Sequence, residues 1–229
     1  MSTTVIRFGD SDAPAVVLVP ELAATVRTMR PLTAAWVAAG RRVVVLDLYG
    51  GSRPTFDYGP VIADEIPAEI EAAGRGALLV GFGFGGHLAL LAAAGMMAAP
   101  PVVTIATGIP DEDTDGRPSL LQRLGFDGLA KLGDLNRMFG GVRDGLSADG
   151  SGNLDRLNDV RTRVLAVGID GDRTIPLSAV DRLADRLAVP VVRIDIATSA
   201  RGDTHLKWIG SDAPRVVTAI EAWSSGSVG

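Results

Sequence analysis

Residues 77–99 read ALLVGFGFGGHLALLAAAGMMAA, with four glycines crowded into positions 81–86 between two apolar runs. From 76 to 110 there is no formal charge, and His87 is the lone group that titrates near neutrality. A stretch so apolar must be buried, in a bilayer or in a protein core. The longest piece free of glycine and proline interruption at its start, 87–99, makes a helix of about 20 Å. A hydrocarbon layer is about 30 Å thick. Pro100 and Pro101 end that piece. The segment therefore predicts a buried strand (77–80), a tight glycine turn and a buried helix, and no membrane span.

The rest of the chain repeats the same alternation. Val5–Phe8 and 15–19 are β-branched runs joined by the turn-rich GDSDAP, which predicts an opening hairpin. Residues 28–39 place Met29, Leu32 and Trp36 on one helical face. The run RVVVL at 42–46 is a strand apolar on both faces. Ile62, Ile66 and Ile70 fall four apart within 60–73, where Pro67 should kink or delay the helix. Strands are expected at 102–106, 163–167 and 191–196, and helices through Leu177, Val180, Leu183 and Leu187 and through Val216, Ile220 and Trp223. Strands alternating with helices predict a mostly parallel central sheet with helices on both faces. Between 111 and 159 acid and glycine dominate instead, and we read an insert with short helices that divides a core of 1–110 and 160–229.

Composition removes several function classes. The 229 residues carry 22 Lys+Arg against 27 Asp+Glu, a net charge of −5, whereas a nucleic-acid binder needs a basic face. No cysteine means no disulfide, thiolate chemistry or Cys-ligated metal, and two histidines leave little for a metal site. No cofactor is expected. The start, MSTTVIRFGD, lacks the basic-then-apolar pattern of a secretory signal, so a cytoplasmic location is the expectation.

The glycine turn admits two readings. Gly81-Phe-Gly83-Phe-Gly85-Gly86 fits the letters of G-x-G-x-x-G, the dinucleotide fingerprint. That motif needs an acid about 20 residues on, at the end of the next strand. Here that strand ends Ala106-Thr107-Gly108, and the first acid is Asp111, beyond Pro110. The second reading is the nucleophile elbow G-x-S-x-G, a sharp strand-to-helix turn that lifts one side chain above the sheet. Neighbouring segments agree with it. Asp47-Leu-Tyr49-Gly50-Gly51-Ser52 resembles a D-x-x-G-x-G-x-S loop. Gly168-Ile-Asp170-Gly-Asp172-Arg-Thr-Ile-Pro176 resembles the segment that bears a triad acid. Gly202-Asp203-Thr204-His205 resembles a late histidine loop. Taken in this order, the motifs make the chain resemble the α/β-hydrolase superfamily over nearly its whole length, with 111–159 where a lid usually lies.

Two positions depart from that pattern. Gly83 stands where the serine should be, so no hydroxyl is available for an acyl-enzyme. Pro20-Glu21-Leu22 replaces the His-Gly-x commonly found where the superfamily supplies an oxyanion-hole amide. Asp172 and His205 are expected to meet at the strand ends as a base pair, with Asp170 the rival acid and Asp203 the rival for the histidine position. Glu21, in the same pocket, is a candidate acid or base. Leu22, Tyr49, Phe82 and Phe84 are candidate substrate contacts; core packing is the alternative for the three aromatics, and for Phe82 above all. His87, one turn into the helix, is expected to pack.

A base without a nucleophile suits proton abstraction at an acidic carbon, as in epimerisation or isomerisation. A compact chain of this type without its serine also resembles the bottromycin-type peptide epimerases of natural-product biosynthesis. That resemblance implies a small-molecule or modified-peptide partner, inversion of an aspartate α-carbon, and a base that could be the substrate's own carboxylate. The alternatives are a catalytically dead hydrolase that binds a ligand and a weak hydrolase that activates water.

Overall fold

The computed structural model describes residues 4–21, 24–48, 58–109, 155–197 and 205–226. Leu22, Tyr49, Asp203 and most of the expected insert lie outside the described residues.

The described strands are β1 (Thr4–Phe8), β2 (Ala15–Val19), β3 (Arg42–Asp47), β4 (Leu78–Phe82), β5 (Val102–Ile105), β6 (Val164–Ile169) and β7 (Val191–Ile196). They form one sheet in the order β1-β3-β2-β4-β5-β6-β7. All neighbours are parallel except β1 and β3, which run antiparallel from Thr4 opposite Asp47 to Phe8 opposite Val43.

The expected opening hairpin is therefore corrected: β3 lies between β1 and β2. Every residue of β2 is buried, as suits an interior strand covered on both faces. β1 has two exposed residues among its five and fits an edge. Burial demand, not proximity along the chain, decides which strand takes the interior.

Helix α1 (Val26–Ala38) starts at Thr25, whose hydroxyl accepts the Thr28 amide. Its Met29, Leu32 and Trp36 pack with Val216, Ile220 and Trp223 of the C-terminal helix α5 (Ala213–Ser224) on one face of the sheet. The other face carries α2 (Ile66–Ala73), α3 (Phe84–Gly95) and α4 (Leu177–Arg186), with Ile66, Ile70, Leu88, Leu91 and Leu183 inward. Pro67 falls in the first turn of α2, where its missing N–H is not needed, and a π turn at Val61–Glu65 precedes it. The sequence led to the expectation of a helix kinked or delayed at Pro67; regular α-helix begins at Ile66, one residue before it. Among the described residues no helix is long and apolar enough to cross a membrane.

The strand order reverses between β2 and β4. The chain leaves β2 toward β3 on one side, then returns across β2 to place β4 on the other. At such a switch point the connections after the two strands diverge and leave a crevice at their carboxyl ends. Pro20-Glu21 follows β2 and Gly83 follows β4, so topology brings these two departures from the superfamily pattern to one place.

Leu18, fully buried in β2, should be costly to truncate. Leu18→Ala is expected to lower the unfolding free energy by about 2–5 kcal/mol in urea titration, with an unchanged m-value. Val5→Ala on the half-buried edge should cost less than half as much.

Candidate active site

Five loops at the carboxyl ends of the parallel strands build the site. Gly83 caps α3 with φ 53° and ψ −118°, a conformation that a residue with a Cβ holds only under strain. This is the shape of a nucleophile elbow. The adjoining glycines are there for space. A Cβ on Gly85 would strike the carbonyls of Val19 and Pro20, one on Gly81 would strike the backbone at Gly85 and Gly86, and one on Gly86 would strike the Thr107 side chain. The cluster lets a helix pass directly over strand ends, which accounts for its spacing without a pyrophosphate.

Gly83 differs from these. A Cβ there would land at covalent-bond distance from Glu21 Oε2 and 3.1 Å from Oε1. The Glu21 carboxylate thus fills the volume where the elbow side chain would begin. The Ala24 amide donates to the Glu21 carbonyl at 2.9 Å, and the buried Glu21 side chain reaches across to the elbow.

Two donors converge on Glu21 Oε2. The Phe84 amide donates at 3.0 Å and His205 Nε2 donates at 3.2 Å. The Phe84 amide is the one that follows the elbow position, the usual oxyanion-hole donor of this turn. It also belongs to the first turn of α3, where amide groups lack helical partners and the helix dipole favours negative charge. On its other side His205 donates from Nδ1 to Asp172 Oδ2 at 2.8 Å. Asp172 Oδ1 accepts the amides of Thr174 and Ile175, both at 2.9 Å. These amides fix Asp172 where β6 turns toward α4. Asp170, two residues earlier, is exposed.

The three ionisable groups are nearly sealed, with side-chain exposures of 6% for Glu21, 6% for His205 and 0% for Asp172. Burial works against a charge on His205 and is the largest single influence. The hydrogen bonds to Asp172 and Glu21, with the attraction of both carboxylates, outweigh it and raise the pKa from 6.5 to about 10. At neutral pH the ring is an imidazolium between two carboxylates.

Phe82 has no exposed surface. Its ring lies 5.4 Å from that of His205 and 5.4 Å, edge-on, from Trp208. It backs the histidine and faces no opening. Phe84 is buried against Tyr58, with ring centres 5.0 Å apart and edge to face. His87 Nε2 donates to the Gly108 carbonyl at 3.2 Å. Burial pushes its pKa down, opposed by that hydrogen bond and by the Glu21 charge, so the ring stays neutral and pins the loop after β5. Among the described residues no cluster of His, Asp and Glu is arranged to hold a metal ion.

Sequence reasoning missed Thr107. Its hydroxyl, buried under the elbow, donates to the Gly83 carbonyl at 3.0 Å. The available signal was Gly86, a glycine within a helix whose lack of a side chain makes room for Thr107.

Solved structures share this architecture. BpoC from Mycobacterium tuberculosis H37Rv matches with a TM-score of 0.68 at 21% identity, over 100% of this chain and 97% of that one. The α/β hydrolase MGS-MChE2, from the metagenome of lagoon sediments at Mar Chica, Morocco, matches with 0.69 at 14%, over 97% and 94%. MenH from S. aureus matches with 0.67 at 17%, over 99% of both chains. At these identities the likeness establishes the α/β-hydrolase fold. No family model and no curated protein matches the sequence.

Two predictions follow from the geometry. Gly83→Ser alone must push Glu21 aside, so it should lose stability and show no acylation burst with a nitrophenyl ester. Glu21→Gly combined with Gly83→Ser vacates the space and leaves Asp172 and His205 to activate the new hydroxyl, and should give a burst and labelling by a fluorophosphonate. Labelling of the single variant to the same extent would contradict this reading.

The second concerns pH. A folded-state pKa above the unfolded one means that protonated His205 stabilises the fold. That contribution is complete below pH 6.5 and is lost as pH rises toward about 10. Urea unfolding at pH 6 and pH 10 should show a fall on the order of a few kcal/mol in the wild type that His205→Gln lacks.

Proposed function

We propose that the protein is a proton-transfer enzyme of the isomerase or epimerase type, acting without a covalent acyl intermediate. The observation that carries this reading is the Glu21 carboxylate standing at the elbow, where the superfamily's attacking group would be, with two donors on one of its oxygens. His205, charged at neutral pH, is no base in its resting state. The base is Glu21, and His205 is the acid and electrostatic partner.

The chemistry closes on these groups. A C–H bond next to a substrate carbonyl breaks, its proton goes to Glu21, and its electron pair moves into the carbonyl to leave an enolate oxygen. Protonated Glu21 is then a weaker acceptor. The enolate oxygen can then take the place of Glu21 Oε2 as acceptor of the Phe84 amide and the imidazolium, which stay where they are. Donors organised before the reaction stabilise charge without reorganisation, which is the larger part of most enzymatic rate gains. Return of a proton to the other side of the carbon gives the epimer, and return to a different carbon gives the isomer. Gly83 removes the hydroxyl that would otherwise trap an acyl group. An aspartyl α-carbon in a modified peptide is one substrate of the required acidity.

Solvent exchange tests the reading. The protein in D2O is incubated with a panel of neutral carbon acids, among them acetyl-aspartyl amides and 3-oxoacyl thioesters. Deuterium is expected at the carbon next to the carbonyl of at least one of them. Glu21→Gln, which keeps shape but loses the charge, should slow uptake by about 10²–10⁴-fold. His205→Gln should cost about 10²-fold or more. Tight retention of a panel member by the wild type with no exchange would identify a binding protein instead.

A further inference from the structure

We infer that Thr107 is a positioning residue that sets the elbow amide through the far side of the same peptide group. The Gly83 carbonyl and the Phe84 N–H belong to one planar peptide unit and point in opposite directions. Thr107 Oγ1 donates to the carbonyl at 3.0 Å, and the N–H donates to Glu21 Oε2 at 3.0 Å. The Gly86 amide donates to the same carbonyl at 3.0 Å, from within the helix. The unit is thus held at both ends, with Thr107 the one side chain on the carbonyl end, and its orientation cannot change without breaking a buried hydrogen bond.

The chain is strained to place this hydroxyl. Ala106, fully buried at the end of β5, has φ 45°, and among the described residues it is the single non-glycine at positive φ. Such a conformation is strained for a residue with a Cβ. It is held by the Ala106 amide donating to the Val167 carbonyl at 2.8 Å, while the Gly83 amide donates to the Ile105 carbonyl at 2.8 Å. The two bonds tie β5 to β6 on one side and to the elbow on the other, with Thr107 turned beneath the elbow between them. The Ile105 carbonyl is a more distant acceptor for the same hydroxyl, at 3.3 Å. Gly86, bare where Thr107 sits, keeps the approach open.

Polarity travels along the same path. A hydroxyl donating to a carbonyl draws electron density toward that oxygen and leaves the attached N–H a better donor, as in hydrogen-bonded chains generally. Thr107 thereby orients and strengthens the amide that holds Glu21 at rest and that the enolate oxygen takes over in the proposed reaction. The catalytic part of this inference rests on that reaction; the structural part does not.

The two parts are tested together. In Thr107→Val, which keeps the shape and loses the hydroxyl, the Phe84 amide proton resonance should move upfield and its hydrogen exchange should accelerate. Thr107→Ser should restore both. With a panel compound that exchanges deuterium, Thr107→Val should lower the maximal rate about tenfold with little change in KM, and Thr107→Ser should return it to within about threefold of wild type. Thr107→Ala serves the same purpose if the valine variant does not fold. An unmoved Phe84 amide in the variants lacking the hydroxyl overturns the inference. So does a serine variant that behaves like valine, since methyl packing would then be the cause. If no compound exchanges in the wild type, the proton-transfer reading fails while the amide resonances still decide the role of Thr107.

Discussion

The site depends on one volume being filled by a carboxylate. Where the elbow turn would present a side chain from β4, the side chain comes instead from the end of β2, 62 positions earlier in the chain. Removing the Cβ at position 83 and extending a side chain at position 21 are the two halves of one exchange in space. Each half calls for the other. A serine at 83 collides with Glu21, and without Glu21 the imidazolium and the Phe84 amide lose the oxygen they share. Buried donors left without their acceptor are costly, more so when one carries a charge.

This coupling explains how three nearly sealed ionisable groups can coexist. Moving two carboxyl side chains and an imidazole from water into a core opposes folding. The offset is that partners surround each of them: two backbone amides on Asp172, two carboxylates on His205, and the amino end of α3 with the imidazolium on Glu21. The same arrangement sets the chemistry. A histidine between water and one acid is a base, whereas a histidine between two acids is a proton store. Here His205 lies between Asp172 and Glu21, and the two together hold its proton.

Much of the frame was legible in the sequence because burial on both faces leaves a plain signature. β2, β3 and β4 are apolar at nearly every position, and helices with one apolar stripe alternate with them. The pairing of β1 was not legible, because whether a short strand joins its neighbour in sequence or a later strand depends on which competitor needs the interior more. Asp172 and His205 stand out in sequence through their order and distance from prolines and glycines. Glu21 was visible as an oddity, an acid where glycine is usual. Its reason was not visible, since a collision between positions 21 and 83 exists only once strand order is known. Thr107 is marked only indirectly, by the bare Gly86 it packs against, because threonine after a strand is ordinary and its importance lies in the peptide it touches.

The elbow also shows why glycine spacing is a poor guide to ligand type. A pyrophosphate loop and this turn both need close approach to the first turn of a helix, and both write the same letters. They part on what approaches. In a nucleotide site the amides at the helix start face an anion that diffuses in. Here the Phe84 amide faces an anion that the chain itself supplies. A phosphate entering this space would have to displace Glu21 from the Phe84 amide. The acid that argues against a nucleotide is thus the same group that fills the space beside Gly83, and both observations rest on where one carboxylate points.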